Sequence, residues 1–221
     1  HFQRTMDEIF KDMRDTVDIF IDDLLIGAGT IEELMDKFNK VLARLAKCRV
    51  RVKLEKCKFG AREIIALGHQ VDGVGMKISD TRKAEIQASP RPRTKTEVLS
   101  FLGMCGFVSD WLGSDYATVK APLTDLTRKD TPWVWDPDQE TAFRELKRRV
   151  QEATTMHHMD YDHPIIVRTD ASEIGIGAVL INVVGGVERT CGYISRKFTK
   201  TARRWKTVEQ EAYGLWYAVT A

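Results

Sequence analysis

The sequence predicts an α+β chain: strands and helices at the start, a helical middle, and a strand-rich end closed by a helix. Three patterns carry that expectation. Short β-prone apolar runs fill 17–26 and parts of 50–78, with turn signals between them. From about 80 to 152 apolar residues recur at helical spacing. Strand-like runs return from 165 to 194 and lead into a final helical pattern, which fits the opening of an α/β domain.

Each element has its own signal. Phe2, Met6, Ile9, Phe10 and Met13 share one helical face. Val17–Ile21 and Leu24–Ile26 read as two strands joined through Asp22-Asp23. Thr30 with Glu33 predicts a capped helix carrying Leu34, Phe38, Val41, Leu42 and Leu45. Leu67–Val71 and Gly75–Ile78 flank Asp72-Gly73, a hairpin signal. Residues 80–88 read as helix, and Pro90–Arg93 breaks the chain before a capping box at Thr94 and Glu97. Asp136-Pro137-Asp138-Gln139 sets a cap, a first-turn proline and a box partner in order. Beyond it, Ile165–Thr169, Ile176–Leu180 and Cys191–Ile194 read as strands, and Thr207 with Gln210 opens the last helix. His157, His158 and His163 are expected in loops, and Trp111, Trp133 and Trp135 in helix packing.

Composition narrows the class. At 43% hydrophobic and 30% charged residues the chain reads as globular. No apolar run approaches the roughly 18 residues of a membrane-spanning helix, so no membrane partner is expected. Four cysteines without a C-x-x-C pair exclude the common zinc-finger spacing and suit reduced thiols. Net charge is only +2, yet Arg49, Arg51, Lys53, Lys56 and Lys58 form one basic run, and Arg196, Lys197, Lys200, Arg203, Arg204 and Lys206 another. Such runs either track phosphates or form solvated faces. Helical patterns at both ends lack boundary signals, so a piece of a longer protein is expected.

Two acidic constellations carry candidate chemistry. Adjacent carboxylates Asp22 and Asp23 at a hairpin tip repel each other and need water or a cation. Magnesium takes oxygen ligands and one or two protein carboxylates, and paired ions support in-line phosphoryl transfer. Asp170 at a strand end and Glu211 on a helix could converge on a similar cluster. A solvated acidic turn and a surface helix charge are the plain alternatives.

Phe20-Ile21-Asp22-Asp23 resembles the Y-x-D-D motif of reverse transcriptases, with Phe in the first place. Phe2–Asp7, Lys56-Cys57-Lys58-Phe59, Leu67-Gly68-His69, Phe101–Phe107, Pro122–Thr127 and Trp133-Val134-Trp135 follow in the order of gypsy-type LTR retrotransposon Pol polyproteins. Thr169-Asp170-Ala171-Ser172, Tyr193–Lys197 and Glu209–Ala212 are similar to the start of the ribonuclease H region of the same elements. Two places depart from the pattern: Ser109-Asp110 stands where tyrosine and arginine are usual, and Ala202–Trp205 replaces an acidic-aromatic segment.

The resemblance implies a partial polymerase palm at 1–79 with a primer-grip hairpin, a helical thumb or connection at 80–152, and a truncated α/β ribonuclease H-like domain at 153–221. It makes Asp22, Asp23, Asp170 and Glu211 catalytic ligands of Mg2+, with Mn2+ as substitute, and Leu67, Gly68 and His69 primer-positioning residues. It implies RNA template, DNA primer, RNA–DNA hybrid and deoxynucleoside triphosphates as partners, beside the rest of the polyprotein and a dimer. The setting would be a cytoplasmic particle or the nucleus of the host cell. A further palm aspartate and two further ribonuclease H carboxylates would lie outside this chain, so the fragment alone is expected to be inactive. The competing expectation is a retroelement-derived binding protein without chemistry. As an open sheet, 153–221 is expected to be the least stable part.

Overall fold

The computed structural model describes residues 2–221, in two compact units that divide between Ala66 and Leu67. The first contains α1 (Phe2–Ile9), β1 (Asp18–Phe20), β2 (Asp23–Leu25), α2 (Ile31–Lys47) and β3 (Glu63–Ala66). Its core is Met6 of α1, Phe10, Met13 and Val17 from the turns that follow where the sequence pattern had extended the helix, and Val41 and Leu45 of α2. Arg44 of α2 grips the Asp12 carboxylate at 2.6 and 2.8 Å and the Ile9 carbonyl at 2.5 Å. That guanidinium holds the Asp12 carboxyl down at about 2. Thr30 Oγ1 accepts the Glu33 N–H at 3.1 Å, as the sequence predicts. The Glu33 carboxylate in turn takes the Gly29 N–H at 3.0 Å.

The second unit opens with β4 (His69–Asp72) and β5 (Gly75–Ile78), antiparallel with His69 opposite Ile78. Their loop is Gly73-Val74, and Asp72 Oδ1 closes it by accepting the N–H groups of Val74 at 2.8 Å and Gly75 at 3.0 Å. Helices α3 (Asp80–Ala88), α4 (Lys95–Phe107), α5 (Tyr116–Val119), α6 (Ala121–Leu126) and α7 (Pro137–Glu152) follow. Their apolar faces meet in one core that includes Ile86, Val98, Phe101, Leu123, Phe143 and Leu146. Burying each such side chain contributes roughly 1.5–3 kcal/mol relative to exposure. Strand β6 (Met156–His157) then pairs with β5. The sequence reading placed His157 in a loop; two paired residues are too short a run to show any periodicity. Gly75 is needed there, because a Cβ would lie 1.9 Å from the Met156 carbonyl oxygen.

A meander of β7 (Ile165–Ala171), β8 (Gly175–Val184) and β9 (Val187–Lys197) precedes α8 (Thr207–Thr220). All pairs are antiparallel, and Cys191 is the extra residue of a bulge opposite Leu180/Ile181. Helix α8 covers one face, where Ile176 lies against Gly214. The other face meets the helical layer: Tyr193 packs on the large core, Ser195 Oγ accepts the Ala117 N–H at 2.8 Å, and Lys197 pairs with Asp125 at 2.8 Å. Helix α8 opens at Thr207, as the sequence predicts, with its capping pair one residue earlier. Glu209 accepts the Lys206 N–H at 2.8 Å, Thr207 is the first helical residue, and buried Gln210 donates to the Ala202 carbonyl at 3.1 Å.

Candidate active-site hairpin and nucleic-acid interface

The first acidic pair sits on a tight hairpin turn. Phe20 pairs with Asp23, so Ile21 and Asp22 form a two-residue loop. Ile21 has φ +53°, the left-handed region that a β-branched residue avoids. Such a residue costs about 1–2 kcal/mol and persists only where the surroundings hold it. Here the Gln3 side-chain oxygen accepts the Ile21 N–H, while Gln3 Nε2 donates to Asp7 at 2.9 Å. Asp22 and Asp23 are exposed, and among the described residues no hydrogen bond or ion pair engages either carboxylate. The register also puts Asp18, opposite Leu25, on the strand face of Asp23. Sequence reasoning missed that acid; a two-residue hairpin loop at 21–22, which pairs residue 20 with 23 and residue 18 with 25, would have found it.

The turn before β4 is built similarly. Leu67 has φ +51° and Gly68 φ +76°. His69 follows with its ring between Phe107 at 4.8 Å and Trp111 at 4.7 Å, and the Arg82 guanidinium lies 5.0 Å from the centre of the Phe107 ring. Burial in this stack lowers the His69 pKa; Asp110 opposes the shift and Arg82 adds to it. A Cβ on Gly68 would meet the Phe107 ring at 3.1 Å. Leu67 and Gly68 thus form a turn clamped to the end of α4, while the His69 side chain is occupied by packing.

In the second unit, Asp170 pairs with Gly177 on β8. A Cβ at Gly177 would lie 1.9 Å from the Ser114 carbonyl oxygen, so this face looks toward the helical layer. Asp170 therefore projects from the sheet face opposite α8, on the strand whose outer edge is unpaired. Glu211 is half-buried on α8, which packs over β7 and β8. The strand register thus does not bring Asp170 to the sheet face that α8 covers. Among the described residues neither accepts a hydrogen bond or ion pair, and no group of three or more His, Cys, Asp or Glu is assembled. Adjacent oxygen donors free of cationic partners fit a hard divalent ion at the Asp22–Asp23 turn, whereas Asp170 offers a single carboxylate on its face of the sheet.

Residues 1–71 match the reverse transcriptase (RNA-dependent DNA polymerase) family, and 135–221 match the RNase H-like domain found in reverse transcriptase. The Gag-Pol polyprotein of Koala retrovirus is 30% identical over 85% of this chain and 11% of its own length. The retrovirus-related Pol polyprotein from transposon opus of Drosophila melanogaster is 30% identical over 97% of this chain and 22% of its own. The chain thus spans only about a tenth to a fifth of these relatives. A foamy viral protease-reverse transcriptase dRH in complex with double-stranded DNA superposes with TM-score 0.82 at 22% identity, covering 99% of this chain and 38% of that one. The foamy viral protease-reverse transcriptase with RNA/DNA hybrid gives 0.80 at 21% identity, over 98% and 29%. These structures share the fold.

Proposed function

We propose that this chain is the palm-to-ribonuclease H portion of a gypsy-type LTR retrotransposon polymerase. The parent protein adds deoxynucleotides from their triphosphates to a DNA primer on an RNA template, and cuts the RNA strand of the RNA–DNA hybrid. The observation that carries the reading is the Asp22–Asp23 turn: two unpaired, exposed carboxylates held at a strained tip inside a reverse transcriptase match. Asp22 and Asp23 would hold Mg2+ or Mn2+ for polymerisation, and Asp170 and Glu211 for RNA cleavage. Bound there, the ion supplies Lewis-acid activation of the attacking oxygen and charge relief at the leaving oxygen. Leu67 and Gly68 present a rigid turn to the primer, and His69 fixes that turn from behind. The domain limits 1–79, 80–152 and 153–221, the rest of the polyprotein, a dimer, and a cytoplasmic particle or nucleus complete the proposal. The isolated chain is inactive in this reading.

Primer extension and hybrid cleavage by the parent polyprotein test it. D22N/D23N is expected to lower extension at least about 1000-fold, equivalent to about 4 kcal/mol of barrier, with hybrid cleavage retained. D170N/E211Q gives the converse. Undiminished extension by D22N/D23N overturns the proposal.

A further inference from the structure

Three non-glycine residues of the described chain have positive φ: Ile21, Leu67 and Arg49. The first two lie at the acidic hairpin and the clamped turn. Arg49, at +56°, begins the basic segment 49–62, which belongs to neither. We propose that this segment is a phosphate-contacting surface for a nucleic-acid duplex, made of residues other than those of the Asp22–Asp23 tip. The inference rests on the polymerase reading and adds a binding surface to it.

Charge is the first argument. Arg49, Arg51, Lys53, Lys56, Lys58 and Arg62 are offset by Glu55 alone, a net +5 in a chain whose total is +2. All six are exposed. Lys53 makes one long contact, 3.8 Å to Glu55, and the other five have no ion-pair partner among the described residues. Elsewhere many cations are paired at 2.5–2.9 Å, for example Lys40 with Asp36 and Arg168 with Glu188. Unpaired like charges at this density repel one another, and a polyanion relieves that repulsion while shedding its own counterions.

Preorganisation is the second argument. Arg49 occupies the position just past the α2 cap. There the Arg49 N–H reaches the Ala46 carbonyl at 3.1 Å and the Val50 N–H the Leu45 carbonyl at 2.9 Å. This helix stop favours glycine. An arginine there keeps a cation where backbone conformation asks for none. Downstream, a single 3-10 turn at Leu54–Lys56 shapes the segment, and Phe59 packs edge-on against Phe38 of α2 at 5.4 Å. The cations are thus displayed from a loop anchored at both ends of its basic run.

The test is the salt dependence of binding of a 20-base-pair RNA–DNA hybrid, and of a DNA duplex of the same sequence, to the 221-residue chain. R51S/K56S/K58S is expected to reduce the slope of log K against log salt by about 2–3 and to weaken binding at least about tenfold near 0.1 M salt. R49G supplies the arm that unfolding cannot mimic. Glycine suits the left-handed position, so this variant should melt no lower than the parent while its slope falls by about one. A control, K11S/K40S/R144S, removes cations already paired and should leave the slope unchanged. Unaltered slopes in R49G and in the triple variant overturn the surface and leave the polymerase reading standing. A parent chain that binds neither duplex at any salt also overturns it, whereas primer extension by the polyprotein judges the wider reading separately.

Discussion

His69 shows how a side chain can serve a site without facing the ligand. Its ring is held between two aromatic rings, and each such pair contributes about 0.5–1.5 kcal/mol beyond its buried area. The surrounding stack favours neutral imidazole, so the folded pKa lies below the ordinary value of 6.5. The stabilisation is therefore complete above about pH 6.5 and is lost as pH falls from there toward the lower folded value. Urea midpoints measured at pH 7.5 and 5.5 should drop for the parent. They should drop less for H69F, which keeps a ring and loses the titration. Equal losses in both proteins would show that His69 does not carry the effect. Residue chemistry was legible at Asp22, Asp23, Asp170 and Glu211 only as residue types in motifs. The strain at Ile21 and the free state of the carboxylates depend on backbone angles and neighbours that no motif states.

At the scale of elements, local signals served well where the physics is local. The caps at Thr30, Thr94 and Asp136 satisfy helix N–H groups within three residues, and each helix starts where its signal stands. Local reasoning failed at β6, whose pairing partner lies some eighty residues earlier in the chain. It also missed the close approach at Gly177, which reads in sequence as one more strand glycine. An alanine there would place its Cβ 1.9 Å from a backbone oxygen of the helical layer, and backbone cannot swing aside as a long side chain can. G177A is expected to cost about 1–3 kcal/mol, a fall in Tm of about 2–4 °C per kcal/mol for a unit of this size. Gly103 of α4 is the contrast, because nothing lies within 4 Å of its missing Cβ. G103A should stabilise by up to about 1 kcal/mol through helix propensity. Similar Tm values for the two variants would disprove the close packing.

Across the whole molecule, stability follows the two compact units. The core of residues 67–221 unites the helical layer with β5, β6 and β9, through Ile78, Met156 and Tyr193. The sequence reading expected 153–221 to yield first, as an open sheet. Lys197–Asp125, Ser195–Ala117 and the Gly177–Ser114 contact bind that sheet to the helices instead. Hydrogen exchange should find the amides of α7 and β8 slow and matched, and those of β1 and β2, three residues each, much faster. Protection in β1 and β2 equal to that in β8 would contradict this. The sequence by itself determined the kinds of elements, most helix starts, the order of the motifs and the acids offered to a metal, because capping, periodicity and chain order are short-range properties. Only the tertiary structure decided which sheet face carries Asp170, what holds Ile21 and His69, and which cations stay unpaired. Those follow from contacts between residues far apart in the chain, which exist only once the chain has closed on itself.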